Sequence, residues 1–170
     1  MPGARDAKSI IARVSVLEPG ARLPRLSLTD EGGAPFPLPA GETLYAVFKT
    51  TCPTCALTWP FLERLRAGGG LPIVAISQDD PASTRAFAER LSTRLSTVFD
   101  PEPWAGSRAL GVQTVPTLFR VGSDGTIAET VVGFDSARME GFARRAAELS
   151  GRPAEPLFRP DDHVPPIKPG

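Results

Sequence analysis

The chain has two cysteines, one histidine, one tyrosine and three lysines among 170 residues, and these scarcities exclude several classes of function. Two cysteines are too few for a disulfide-stapled secreted framework or for a zinc site built of four cysteines. The lone histidine, His163, is remote from both and reads as a surface residue, so no metal site is expected. The 19 basic and 19 acidic residues cancel, which leaves no net field to draw nucleic acid or an anionic membrane surface. No run approaches the roughly 18 apolar residues of a spanning helix. The opening Met1-Pro-Gly-Ala-Arg-Asp-Ala-Lys-Ser9 lacks the apolar stretch of a signal peptide, so the expected compartment is the cytoplasm. There is no internal repeat.

What is present suffices for one domain, since 41% of the residues are hydrophobic. The expected division is an N-terminal extension over 1–22, a domain over 23–151 and a proline-rich tail over 152–170. Ile10 to Leu17 alternates partially and suits an edge strand. Residues 23–44 are crowded with turn formers and suit a hairpin. Leu44-Tyr-Ala-Val-Phe48 is a continuous apolar run, the pattern of a strand buried on both faces. After Cys55, Leu57, Phe61 and Leu65 recur at helical spacing until Gly68-Gly-Gly70 stops them. Pro72 to Ser77 is a second buried strand, followed by a helix with Phe87, Leu91 and Leu95 on one side. Strand, helix, strand, helix predicts a parallel βαβ core. A short strand at 97–100, a brief helix over 103–110, a hairpin about Gly122-Ser-Asp-Gly125 and a last helix with Met139, Phe142, Ala146 and Leu149 on one stripe complete the pattern. Six prolines among the last nineteen residues predict an extended segment, loose or laid over the surface.

The two cysteines stand three apart, between a buried strand and the first turn of an amphipathic helix. Free N–H groups and the positive end of the helix dipole stabilise a thiolate there. Cys52, nearer the loop, is expected to be the accessible nucleophile; Cys55, one turn deeper, is expected to attack the mixed disulfide that Cys52 forms. The same spacing also serves metal sites or two buried small hydrophobes, and a metal reading lacks two further ligands.

Phe48-Lys-Thr-Thr-Cys-Pro-Thr-Cys-Ala-Leu-Thr-Trp-Pro60 resembles the strand, active-site loop and helix of the thioredoxin superfamily. Gly111-Val-Gln-Thr-Val-Pro-Thr-Leu-Phe119 resembles its second landmark, and the hairpin with Asp124-Gly125 and the closing Val132-Gly133-Phe134 follow in order. The stretch between the first helix and Pro116 is similar to the extra strand–helix insertion of the TlpA, ResA and AhpC/TSA (redoxin) branch. The resemblance covers roughly residues 23–150. It implies an α/β thioredoxin-like fold: a central mixed β-sheet flanked by helices, with that insertion and an N-terminal hairpin. It implies catalytic Cys52 and Cys55, an active-site loop of Thr51, Pro53 and Thr54, and a cis peptide between Val115 and Pro116 that, with Thr114, receives substrate as a short added strand. Thioredoxins carry a buried acid six residues before the first cysteine; Ala46 stands there, which leaves proton transfer at Cys55 to water or another carboxylate such as Glu63. Thr50 or Thr51 can cap the helix, Pro53 suits its first position, and Lys49 either acts on Cys52 or is a solvated strand end.

The expected function is thiol–disulfide oxidoreduction on a protein or small-molecule disulfide, with a thiol electron donor and no cofactor. A peroxiredoxin-type peroxidase is the alternative. Its P-x-x-x-T-x-x-C loop has no match, since Tyr45 and Lys49 occupy those positions before Cys52, and Phe48 and Cys52 occupy them before Cys55. A non-enzymatic thioredoxin-like binding module, docking through the Val115 groove or the proline-rich tail, is the third.

Overall fold

Six consecutive buried residues, Thr43–Phe48, form the central strand β1. Its alternation divides two apolar layers: Leu44, Ala46 and Phe48 face one, Tyr45 and Val47 the other. The structure is a computed structural model and describes residues 15–170. Along the chain follow α1 (Pro53–Gly68), β2 (Ile73–Ser77), α2 (Pro81–Leu91), β3 (Ser96–Phe99), α3 (Ala105–Ala109), β4 (Thr117–Val121), β5 (Ile127–Val132), β6 (Phe134–Asp135), α4 (Ser136–Ser150) and β7 (Ile167–Lys168). Five strands make one mixed sheet in the order β3-β2-β1-β4-β5. β1 runs parallel to β2 and antiparallel to β4. Helices α1, α2 and α4 bury Trp59, Leu62, Phe87, Met139 and Phe142 on one face. Residues 16–38 cross the other, where Leu28 joins Val74, Ile76 and Phe119. No helix among the described residues is long and apolar enough to cross a membrane.

Several expectations need correction. The expected edge strand at 10–17 lies largely outside the described residues, and residues 15–17 form no strand. The segment 15–22 is nonetheless bound to the sheet, with Gly20 N–H donating to Ile127 O at 2.8 Å. Of the small hairpin expected over 23–44 the structure has one antiparallel turn at 28–36, bridging Thr29 to Pro35, with Phe36 N–H donating to Leu28 O at 2.9 Å and the Asp30 carboxylate closing the turn. Thr29 also pairs with Phe99 of β3, exchanging both backbone hydrogen bonds with it. Leu149 is 41% exposed: the buried residues of α4 are Met139, Phe142, Ala146 and Ala147, and Leu149 is not among them.

Residues 152–170, expected as a proline-rich tail either loose or laid over the surface, are laid across the domain, and part of the segment enters the core. Leu157 is only 4% exposed and belongs to the core. Its N–H and that of Phe158 both donate to the Glu140 carboxylate at 3.0 Å, and the Phe158 ring lies 4.6 Å from Phe61. Arg64 of α1 donates to Leu157 O at 2.8 Å and to the Asp162 carboxylate at 2.7 Å. That guanidinium holds the Asp162 carboxyl down at about 2. The chain then turns at His163 and adds β7 antiparallel to β6, pairing Lys168 with Phe134. Side chains supply the hydrogen bonds that the prolines cannot, and the segment becomes a strap across α1.

Candidate active site

β1 ends at Phe48, and the chain turns through Lys49-Thr-Thr51 into α1. Cys52 is itself the N-cap, with extended φ −84° and ψ 118°, a position assigned from the sequence to Thr50 or Thr51. Its sulfur accepts the Cys55 N–H at 3.2 Å, and Pro53 follows where the helix has no use for a donor. The Cys52 thiol also donates to the Val115 carbonyl at 3.2 Å. The peptide between Val115 and Pro116 is cis, and it stands just before β4, the antiparallel neighbour of β1. The fold therefore brings Cys52, Cys55 and Val115 together. Both cysteines are free thiols, Cys52 partly exposed and Cys55 fully buried.

Thr51 and Pro53 form an exposed rim. Thr54 points inward and donates from its hydroxyl to Pro169 O at 2.6 Å. Thr114 is exposed, and its carbonyl accepts the Thr117 hydroxyl at 2.8 Å. Lys49 does not stand free at a strand end: its ammonium lies 4.6 Å over the Trp104 ring, whose Nε1 donates to Gln78 O. Among the described residues no group of three His, Cys, Asp or Glu side chains is placed to hold a metal ion.

Sequence reasoning missed Asp79. The parallel register pairs Phe48 with Ser77, so the residues just beyond both strands meet, and Asp79 Oδ2 accepts the Thr50 N–H at 2.6 Å. Burial first, then the adjacent Cys52 sulfur and the Asp79 charge, push the Cys55 thiol far above the ordinary thiol range. Glu63, the carboxylate suggested by the sequence, is held elsewhere by Arg66 and by the Arg94 N–H at 2.7 Å. A negative charge disfavours a thiolate, so Asp79→Asn should move Cys55 deprotonation to lower pH while keeping an acceptor for Thr50. Ultraviolet thiolate absorbance against pH, in a chain that also carries Cys52→Ser, measures this. A midpoint that stays in place or rises would remove Asp79 from the site.

An accessible sulfur at a helix start, with a buried partner one turn deeper, is a geometry suited to thiol–disulfide exchange. Neither a protein-family model nor a curated protein sequence matches the chain. Solved structures do. A secreted Mycobacterium tuberculosis disulfide oxidoreductase, homologous to Escherichia coli DsbE, matches with TM-score 0.59 and 18% identity over 72% of this chain and 95% of that one. The thioredoxin domain of a thiol-disulfide oxidoreductase from Bacteroides vulgatus matches with TM-score 0.59 and 18% identity, covering 69% and 91%. StoA from Bacillus subtilis matches with TM-score 0.57 and 15% identity, covering 69% and 94%. The chain has the thioredoxin-like fold that these proteins share.

Proposed function

We propose that the protein is a thiol–disulfide oxidoreductase in which Cys52 is the nucleophile and Cys55 the resolving thiol. The supporting observation is the Cys52 sulfur, partly exposed at the N-cap of α1, with Cys55 N–H on one side and the Val115 carbonyl on the other. As a thiolate, Cys52 attacks one sulfur of a substrate disulfide and expels the other as a thiolate. Cys55 then loses its proton and attacks Cys52, releasing the second substrate thiolate and leaving a Cys52–Cys55 disulfide. Two electrons pass to the substrate, and an external dithiol restores the pair. Val115 and cis-Pro116 seat an extended piece of the substrate as an added strand. Asp79 supplies, from the end of β2, the charge near Cys55 that the resemblance would have put at Ala46.

A peroxidase and a binding module are the competing readings, and one preparation separates all three. Insulin should be reduced faster than by the dithiol donor alone, while hydrogen peroxide is consumed only at the background rate. Peroxide turnover without insulin reduction would make the protein a peroxidase, and neither activity in a chain whose Cys52 still alkylates would make it a binding module.

A further inference from the structure

The strap reaches the site. Thr54, between the two cysteines in sequence, donates to Pro169 O at 2.6 Å. Gly170 lies so close to Val115 that a side-chain carbon built on it would fall 2.3 Å from the Val115 carbonyl oxygen and 2.9 Å from its carbon. Lys168 and Pro169 press on Gly133 in the same way, where a built carbon would meet Lys168 O at 2.7 Å and Pro169 Cα at 3.4 Å. Gly133 has φ +78°, which no other residue adopts readily. Pro169 and Gly170 thus lie against Thr54 and Val115, on either side of Cys52.

The two halves of the strap are anchored differently. Up to Asp162 it is held by buried Leu157, by Phe158 on Phe61 and by the Arg64–Asp162 ion pair. From His163 onward, Val164 still packs against the core; beyond it Ile167 is 66% exposed, and the anchors are the short β6–β7 pairing, the bond from Ser136 N–H to Pro166 O at 3.0 Å and the Thr54 hydroxyl. The residues beyond Val164 can lift while the rest stays in the core, because hydrogen bonds exchanged with water carry little net free energy.

We propose that residues 167–170 are a built-in occupant of the substrate seat beside Val115, an intramolecular competitor that an incoming polypeptide must displace to reach Cys52. The inference rests on the oxidoreductase reading only in taking Val115 as that seat. A tethered segment competes at high effective concentration, so the full chain favours partners that bind the seat well over casual disulfides.

Two variants test this, Gly170→Val, whose side chain has no room against Val115, and a chain ending at Pro166. The probe is a short unstructured peptide carrying a thiopyridyl disulfide. Attack by Cys52 forms a peptide mixed disulfide and releases thiopyridine, which is read by absorbance and requires no turnover. Release should be at least about tenfold faster in both variants, the ratio that a closed-state preference of about 1.4 kcal/mol produces. A free peptide of residues 164–170 should slow the shortened chain again. Release within about twofold of the full chain in the shortened form overturns the inference, and that form decides if Gly170→Val fails to fold. Faster release in variants that never reduce insulin would leave the strap standing and overturn the oxidoreductase reading; insulin reduction at one rate in all three chains, with unchanged release, would do the reverse.

Discussion

Cys52→Ser should bring insulin reduction down to the rate of the dithiol donor alone, whereas Cys55→Ser should leave a protein that captures disulfides and cannot let them go. The asymmetry follows from burial: Cys52 is partly exposed at the N-cap, and Cys55 is sealed beneath it with its thiol pushed toward the protonated form. Without Cys55, the mixed disulfide on Cys52 has no internal attacker and persists. Non-reducing electrophoresis with a disulfide-containing substrate should show a reducible adduct for Cys55→Ser and none for Cys52→Ser. Equal alkylation rates for the two cysteines at neutral pH would contradict the assignment.

Trp59→Ala should cost about 3–5 kcal/mol of folding stability, the range for removing a large aromatic from a packed core. Trp59 is 1% exposed, with ring centres 4.2 Å from Phe48 and 5.9 Å from Phe87. It stands one turn after Cys55 and ties the cysteine-bearing end of α1 to the last residue of β1. For a chain of this size, a loss of that magnitude lowers the melting midpoint by roughly 6–20 °C. Trp59→Phe, which keeps the ring stack, should lose much less. A loss below about 1 kcal/mol for Trp59→Ala in reversible thermal or urea unfolding would show that this cluster does not seat the helix.

The elements nearest the site were the most legible in the sequence. An uninterrupted Leu44 to Phe48 run has few alternatives to a central strand, and Phe61 and Leu65 repeat at a spacing only a helix puts on one face. Asp79 was hidden because it acts across a strand pair: it reaches Thr50 only once Phe48 is in register with Ser77, and a single sequence carries no register. The N-cap was misplaced because a sulfur took a role usually held by hydroxyls. Leu149 followed the helical stripe and is exposed all the same, since periodicity does not report where a covering partner ends. The strap left no periodic trace, since six prolines suppress both periods and its anchors are single side chains, its own Leu157 and, from distant segments, Glu140 and Arg64.

Because Gly170 packs against Val115, anything covalently joined after it begins at the mouth of the site. A purification tag there would act as a substituent of the active site, crowding Cys52 or prying residues 167–170 away, and activities measured with and without it would describe different molecules. The same position suits a reporter: an environment-sensitive dye attached through a short linker beyond Gly170 should change its emission when a disulfide substrate arrives, while a dye on exposed Leu149→Cys should not.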